Sequence, residues 1–307
     1  MNYVFIVLRN FLRNVHFLGK VDIEEYTEKI AHTKALKMLF DSFFSEEQNR
    51  IPYIKELAYL SDKDELEPIP YPAIRKTNIQ VVFERKKKLP YVKHGDKKLY
   101  FPRQYKSDLI EKIYRSYMDK ENITSTKFEG IAPHQYQMDD FCVGNGDVLL
   151  DIGCAEGLLA LDVVDKVRKV YLFESDPIWA EPLKATFEPY RDKVTFINKM
   201  VSNKDSETET KLDSCIHESD DATFFVKMDI EGGEELVVKG NMDFFKMKKT
   251  KTACCTYHCK NHYDSISKTF ELMGYKVSSS DGYILCFMDK NITPPFFRKG
   301  LIRAKNF

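Results

Sequence analysis

The sequence lacks several features that would assign it at once to a class of protein. Its 307 residues carry no net charge, because 47 Lys and Arg balance 47 Asp and Glu. A balanced charge gives no general attraction to nucleic acid, so we expect no nucleic-acid partner. The seven cysteines are odd in number and irregularly spaced. This argues against a disulfide framework and favours a reducing, cytoplasmic location.

Long apolar runs are also missing. The run from residue 3 to residue 8 near the start is broken by Arg9 and Arg13. It is too short to cross a bilayer and does not resemble a signal peptide, so we predict no transmembrane segment. The run predicts an amphipathic helix that packs within an accessory region. Peripheral membrane contact through this N-terminal helix is the alternative.

Glycine is scarce, with 13 residues, and the GxGxxG pattern of pyrophosphate binders does not occur. Instead, an apolar run ends in Asp151-Ile-Gly-Cys-Ala-Glu-Gly157, and a helical pattern follows at once. Strand, glycine turn and helix are typical of a nucleotide-type site, where Gly153 and Gly157 would let a ligand approach the backbone. With no further glycine to seat a diphosphate, a ribose ligand without phosphate, such as S-adenosylmethionine, fits better.

A second predicted strand, residues 169–173, ends at Glu174. Glu174 follows Asp151 by about 20 residues, the distance at which doubly wound sheets place an acid for ribose hydroxyls. We therefore expect Glu174 and the glycine turn to form one ligand site.

Strands and helices alternate from residue 147 onward, which predicts a mostly parallel sheet with helices on both faces. Two further strands, at 274–277 and 282–288, predict an antiparallel hairpin at the end of that sheet. Residues before about 66 follow helical spacing. We divide the chain into a helical N-terminal accessory region with linker, 1–85, and a main domain, 86–307.

The predicted fourth strand is apolar at its start and then reads Lys227-Met-Asp-Ile-Glu-Gly-Gly-Glu234. A lysine in a buried strand is costly unless a carboxylate pairs with it, and we expect Asp229 or Glu231 as that partner. Gly232 and Gly233 would let the backbone approach a ligand. Several carboxylates and one lysine thus converge at the carboxyl end of a central strand, where open α/β sheets bind ligands.

Taken together, the glycine turn, Phe173-Glu174 and the Lys227–Glu234 motif resemble FkbM-type methyltransferases. The resemblance covers roughly residues 130 to 290 and implies a Rossmann-like seven-stranded sheet and S-adenosylmethionine as cofactor. It implies that Asp151, Gly153 and Gly157 line the methionine part and that Glu174 binds the ribose. The full predicted cofactor-binding set is Asp151, Gly153, Cys154, Gly157, Glu174, Ser175, Met200, Val201 and Asp229.

The predicted catalytic set is Asp229, Glu231, His258 and Lys227. Asp229 would lie beside the amino group and the transferring methyl of the cofactor, and the general base is either Glu231 or His258. His134 is a weaker candidate for substrate contact. We predict no metal: adjacent strand cysteines at 254 and 255 point to opposite faces and do not suit zinc, and magnesium at Asp229 and Glu231 is the alternative.

These observations predict an O-methyltransferase whose acceptor is a small molecule or a glycan, most naturally a sugar or glycoconjugate hydroxyl. That acceptor class is implied by the resemblance alone. The alternatives are an RNA or protein methyltransferase, and a non-catalytic cofactor-binding scaffold in a biosynthetic complex.

Overall fold

The computed structural model describes residues 34–61, 79–121, 133–287 and 292–307. The chain divides into two compact units, a larger one of 71–281 with 299–307 and a smaller one of 1–70 with 282–298. The predicted N-terminal amphipathic helix lies outside the described residues, and the division at residue 85 stays a prediction. Within the described ranges, no helix is long and apolar enough to cross a membrane.

The strands are numbered in chain order. They are β1 (Val81–Glu84), β2 (Leu89–His94), β3 (Lys97–Tyr100), β4 (Val148–Ile152), β5 (Lys169–Phe173), β6 (Val194–Ile197), β7 (Met200–Val201), β8 (Glu209–Thr210), β9 (Thr223–Met228), β10 (Lys249–Cys255), β11 (Lys276–Ser279), β12 (Ile284–Leu285), β13 (Phe297–Arg298) and β14 (Leu301–Lys305).

The α-helices are numbered in the same way. They are α1 (34–43), α2 (Glu47–Arg50), α3 (Ile54–Ser61), α4 (Ser107–Glu121), α5 (Leu158–Val163), α6 (Ala180–Phe187), α7 (Leu212–Cys215), α8 (Glu234–Gly240), α9 (Met242–Met247) and α10 (His262–Leu272).

The larger unit contains a seven-stranded sheet in the order β11-β14-β10-β9-β4-β5-β6. The pairs from β10 to β6 are parallel, and β14 runs antiparallel to both of its neighbours. The predicted Rossmann-like sheet, mostly parallel with an antiparallel final pair, is confirmed. From β4 the chain adds β5 and β6 on one side and later adds β9 and β10 on the other. The direction of strand addition therefore reverses at β4, which marks the switch point at which such sheets bind ligands.

One strand of the predicted final hairpin was wrong. The partner of β11 is β14, residues 301–305, whereas β12 within the predicted 282–288 pairs with β13 in the smaller unit. Residues 282–288 form the more apolar run, whereas β14 contains Arg303 and Lys305, so local hydrophobicity favoured the wrong segment.

The core lies on both faces of the sheet because successive strand residues point to opposite sides. Along β4, Val148 and Leu150 enter one apolar cluster and Leu149 enters the other. The hairpin β2–β3 and helix α4 contribute Val92 and Ile110 to the second cluster. These layers leave the carboxyl ends of the parallel strands to carry polar side chains.

The smaller unit is held by aromatic packing. Phe40 of α1, Tyr53 and Phe297 of β13 belong to one cluster, in which the Tyr53 and Phe297 rings stack with centroids 4.7 Å apart. The predicted short helix beginning near Tyr53 is confirmed as α3, and Glu56 of α3 accepts a hydrogen bond from the backbone N–H of Tyr283.

Candidate active site at the strand ends

Polar side chains meet at the carboxyl ends of β4, β5, β9 and β10, the four neighbouring parallel strands. We call residues 151–157 with Glu174 the turn side, because they follow β4 and β5. We call Asp229, Glu231, Glu234 and His258, which follow β9 and β10, the histidine side. Eight of the twelve predicted site residues belong to one of these two sides, and the other four are Ser175, Met200, Val201 and Lys227.

The glycines of the turn side are required by the protein itself. Gly153 has φ +74°, and a Cβ there would lie 2.2 Å from the backbone oxygen of Asp229. Gly157 has φ +79°, and its Cβ would lie 2.8 Å from the Phe187 ring. Only glycine fits such contacts at positive φ. The close approach that we expected for a ligand is instead made within the protein: Gly153 lies against the backbone of Asp229, and Gly157 lies against the Phe187 ring. Gly153 thereby brings the ends of β4 and β9 together.

Glu174 is bound to the glycine turn. One carboxylate oxygen accepts the backbone N–H of Ala155 at 2.9 Å, and the other accepts that of Asp176 at 2.8 Å. Burial raises the pKa of Glu174, and the two backbone hydrogen bonds oppose the rise. The predicted ligand acid and the predicted turn thus form one structure, held in place by main-chain donors.

The remaining predicted cofactor residues differ in exposure. Ser175 and Met200 are exposed, Met200 by 49%. Cys154 and Val201 are buried within the two core clusters. A contact of Cys154 or Val201 with a ligand would therefore use backbone atoms, whereas Ser175 and Met200 present their side chains to solvent.

The partner of Lys227 differs from the expectation. Its Nζ lies 3.2 Å from Asp151 Oδ1 and also donates to the Gly153 carbonyl. The cause is the register of the parallel pair, which sets Asp151 of β4 directly opposite Lys227 of β9. Burial opposes the charge on Lys227, but the carboxylates of Asp151, Asp229 and Glu121 together outweigh it and raise the pKa of the ammonium. Lys227 is a permanent cation that joins the two sides of the site.

The carboxylate of Asp229 is surrounded by two tyrosine hydroxyls and two imidazole nitrogens. The Tyr136 hydroxyl donates to Oδ2 at 3.0 Å, and the Tyr257 hydroxyl donates to Oδ1 at 3.3 Å. His134 Nε2 lies 3.3 Å from Oδ2, and His258 Nε2 lies 3.4 Å from Oδ1. Burial alone would raise the pKa of Asp229, but the His134 hydrogen bond and the nearby cations lower it well below its usual range.

Each oxygen of Asp229 thus has one hydroxyl donor and one imidazole nitrogen within 3.4 Å, and the pKa of the carboxyl lies well below neutral. Asp229 is therefore a fixed anion and a poor proton acceptor. Tyr136 and Tyr257 were missed by sequence reasoning, because a tyrosine in a loop or at a strand end carries no spacing signal.

The segment that presents His134 and Tyr136 is fastened to β14 and the loop before it. Arg303 of β14 donates to the Gln135 carbonyl at 2.5 Å, and the Ser280 hydroxyl donates to the Pro133 carbonyl at 2.8 Å. Both anchors are buried and far away in the chain. Sequence analysis found His134 but gave no sign of what positions it.

Glu234 contacts Nδ1 of His258, whereas Nε2 of the same ring faces Asp229. Glu234 Oε1 lies 2.8 Å from His258 Nδ1, and Oε2 lies 3.4 Å from His262 Nδ1. Burial opposes the charge on His258, but the interaction with Glu234 and the nearby charges of Asp229 and Glu231 together outweigh it and raise the pKa to about 9. For Glu234, burial is outweighed by the two histidines, which lower the pKa to about 2. The pair is ionised at neutral pH, with His258 as imidazolium.

Glu231 is the residue of the histidine side with the most exposed side chain, 48%. Its backbone has φ +60°, which is uncommon for a residue other than glycine. Its Oε2 lies 3.6 Å from His258 Nε2. Partial burial raises the pKa of Glu231 to about 7, against the opposing charge of His258. Such strain and such a pKa cluster at functional sites.

Two groups of described side chains are close enough to share a metal ion: His134, Asp229 and Cys255, and Asp229, Glu234 and His258. In each group, both oxygens of Asp229 already accept a tyrosine hydroxyl, and in the second group His258 Nδ1 and Glu234 Oε1 form an ion pair at 2.8 Å. Cys254 and Cys255 belong to opposite core clusters, as the zinc argument expected.

No protein-family model matches this sequence, and no curated protein matches it. Among solved structures, the FkbM methyltransferase of Methylobacillus flagellatus is similar over 53% of this chain, with 18% identity and a TM-score of 0.42. The match spans 44% of that protein's length.

Two further structures show a comparable likeness. A precorrin-6y C5,15-methyltransferase from Geobacter metallireducens matches 54% of this chain and 83% of its own, at 12% identity and a TM-score of 0.37. TYW2 of M. jannaschii, crystallised with AdoMet, matches 71% and 85%, at 14% identity and a TM-score of 0.39. The likeness is distant, and no activity or substrate is carried over from it.

Proposed function

We propose that this protein is an S-adenosylmethionine-dependent methyltransferase that methylates a hydroxyl of a small molecule or glycan, with sugars and glycoconjugates as the first acceptors to test. The observation that carries the proposal is the hydrogen bond from Ala155 to Glu174. It joins an acid at the end of β5 to the turn after β4, next to the switch point of the sheet. A ribose and an attached amino acid part can be held there by one continuous surface.

The acceptor capacity of Glu174 fits this ligand. Each of its oxygens accepts one backbone N–H. An ionised carboxylate oxygen accepts about two hydrogen bonds, so one position remains on each oxygen for a ribose hydroxyl. Ser175 and Met200 lie exposed after β5 and β6 and are the proposed border of the adenine. The turn from Asp151 to Gly157 is the proposed seat of the methionine part.

When bound, S-adenosylmethionine supplies a methyl group on a sulfonium, which is reactive without further activation. The protein has to align the acceptor oxygen and remove its proton. We propose Glu231 as the base: its half-exposed carboxylate Oε takes the hydroxyl proton as the oxygen takes the methyl group. A pKa of about 7 suits proton transfer at neutral pH.

In this proposal His258 is not the general base. As an imidazolium held by Glu234, it carries no free lone pair at neutral pH. Its charge lies 3.6 Å from Glu231 and 3.4 Å from Asp229. We propose that it fixes the orientation of the Glu231 carboxylate. Asp229, held by two tyrosine hydroxyls and flanked by two histidines, contributes negative charge to the site.

The test is methyl transfer from labelled S-adenosylmethionine to a panel of monosaccharides and glycolipids, with RNA and protein acceptors alongside. The Glu231→Gln variant should lose about 100- to 10,000-fold in rate while its affinity for S-adenosylhomocysteine stays unchanged. Glu188→Gln, at an exposed residue outside the site, is the matched control and should keep full activity. Transfer to RNA or protein alone, or an unimpaired Glu231→Gln enzyme, would contradict the proposal.

A further inference from the structure

One carboxylate of the turn side has so far no role. Glu156 lies between Ala155 and Gly157, is only 4% exposed, and its Oε2 has no hydrogen-bond partner among the described residues. A buried carboxylate without a donor is costly, since its desolvation is not compensated. Such a group calls for an explanation, and one is a ligand that supplies the missing donor.

The neighbouring carboxylates have polar or cationic partners. Asp151 is neutralised by Lys227, and each oxygen of Asp229 has a tyrosine hydroxyl and a histidine nitrogen within 3.4 Å. Both oxygens of Glu174 accept backbone N–H groups, and both oxygens of Glu234 lie against histidines. Asp151 Oδ1 and Glu234 Oε2 also accept no hydrogen bond, but each lies in an ion pair, at 3.2 Å and 3.4 Å. Among these five acids, Glu156 alone has a buried oxygen with neither a hydrogen bond nor an ion pair to the described residues.

The ligand group that pairs with Glu156 Oε2 has to carry positive charge and N–H groups that can donate a hydrogen bond. A sulfonium has no hydrogen to donate, whereas an ammonium has three. The cofactor of the proposed function carries one ammonium, on the methionine part that the turn is proposed to hold. The charge of Lys227 is taken up by Asp151 and the Gly153 carbonyl, so it does not serve Glu156.

We infer that Glu156 is the residue that binds the α-ammonium of the cofactor's methionine part, in place of the role first expected for Asp229. This inference rests on the proposed function. Burial raises the pKa of Glu156 to about 7, with smaller opposing effects of its own backbone and of Lys227. A raised pKa is expected for a buried carboxylate whose cationic partner is not bound.

Calorimetric titration with two ligands tests the inference. S-adenosylhomocysteine carries the ammonium, and methylthioadenosine has the same nucleoside without the amino acid part. Glu156→Gln should weaken S-adenosylhomocysteine by about 10- to 100-fold, the usual worth of a charge-assisted hydrogen bond. It should change methylthioadenosine by less than about 3-fold, within the experimental spread of such comparisons. Glu174→Gln, the control variant at the ribose position, should weaken both ligands.

A ligand change gives the same information without a variant. The deaminated analogue of S-adenosylhomocysteine, which keeps the carboxylate, should bind the wild type at least about 10-fold more weakly than the parent. Equal loss of both ligands in Glu156→Gln, or no loss of either, would overturn the role of Glu156. A wild type that binds neither nucleoside would overturn the proposed function itself, and the two failures are thereby distinguishable.

Discussion

The turn side and the histidine side occupy the same edge of one sheet but are built in different ways. On the turn side, main-chain geometry dominates: two glycines at positive φ and a glutamate held by backbone N–H groups. On the histidine side, side chains hold one another, with Asp229 and Glu234 each between two histidines. The comparison teaches that main-chain geometry fixes the turn side, whereas the histidine side depends on a network of ionised side chains.

The largest effect should come from breaking the link between the two sides. Lys227→Met leaves Asp151 charged and buried without a partner, so we expect a loss of about 3 to 5 kcal/mol in the free energy of unfolding. Urea unfolding measures it. The double variant Lys227→Met with Asp151→Asn should recover most of the loss. Lys239→Met, which removes an exposed pair with Glu235, should cost less than about 1 kcal/mol.

The main-chain contact of the turn side can be tested with two glycines of nearly equal φ. Gly153 (φ +74°) faces the Asp229 carbonyl, whereas Gly146 (φ +77°) has open space where a Cβ would be. Both alanine variants cost about 1 to 2 kcal/mol of left-handed strain. Gly153→Ala should cost a further 1 to 3 kcal/mol, about the usual cost of overpacking. Equal thermal shifts for the two variants would show that the close contact has no energetic role.

On the histidine side, Glu234→Gln should lower the pKa of His258 from about 9 towards or below its usual 6.5, because the main charge that raises it is gone. NMR titration of the imidazole measures this. The raised pKa stabilises the wild type fully below pH 6.5, and that contribution is lost as pH rises through 9. We expect the variant to lose about 2 kcal/mol at pH 6 and to lack this pH dependence. Glu235→Gln, at the next residue, should leave the His258 titration unchanged.

The smallest expected effect concerns Glu156, where the substitution should raise the free energy of unfolding instead of lowering it. The folded pKa of Glu156, about 7, lies above the usual 4.5, so the protein without ligand loses stability as pH rises from 4.5 through 7. Glu156→Gln should therefore be more stable than the wild type at pH 8, by about 1 to 2 kcal/mol, and equally stable at pH 4. The charged groups that act on Glu156 are Asp151, Lys227 and Lys120, and it acts in turn on Tyr105, Tyr117 and Glu121.

The contrast between the two sides also explains what the sequence could predict. Asp151, the glycines and Glu174 lie within one strand–helix–strand unit, so local spacing was enough to group them. The seven-stranded sheet followed from alternation, apart from the exchange of residues 282–288 for β14. The side chains around Asp229 come from residues 134, 136, 257 and 258, and only the fold brings them together.

The partner of Lys227 shows the same limit in a single residue. Sequence reasoning chose a carboxylate near in the chain, Asp229 or Glu231, whereas strand register placed Asp151 opposite the lysine. Register between non-consecutive strands is not encoded in local spacing. The partners of the Asp229 carboxylate, and the lack of a partner for Glu156 Oε2 among the described residues, likewise depend on tertiary contacts.

The most direct test of the central claim is calorimetric titration of S-adenosylhomocysteine into the wild type, Glu174→Ala and the control Glu188→Ala. The account predicts micromolar binding to the wild type and the control, and binding at least about 10-fold weaker to Glu174→Ala, because the ribose hydroxyls lose their charged acceptor. Absence of binding to folded wild type, or equal affinity in all three proteins, would contradict the claim that the turn after β4 and Glu174 form the cofactor site.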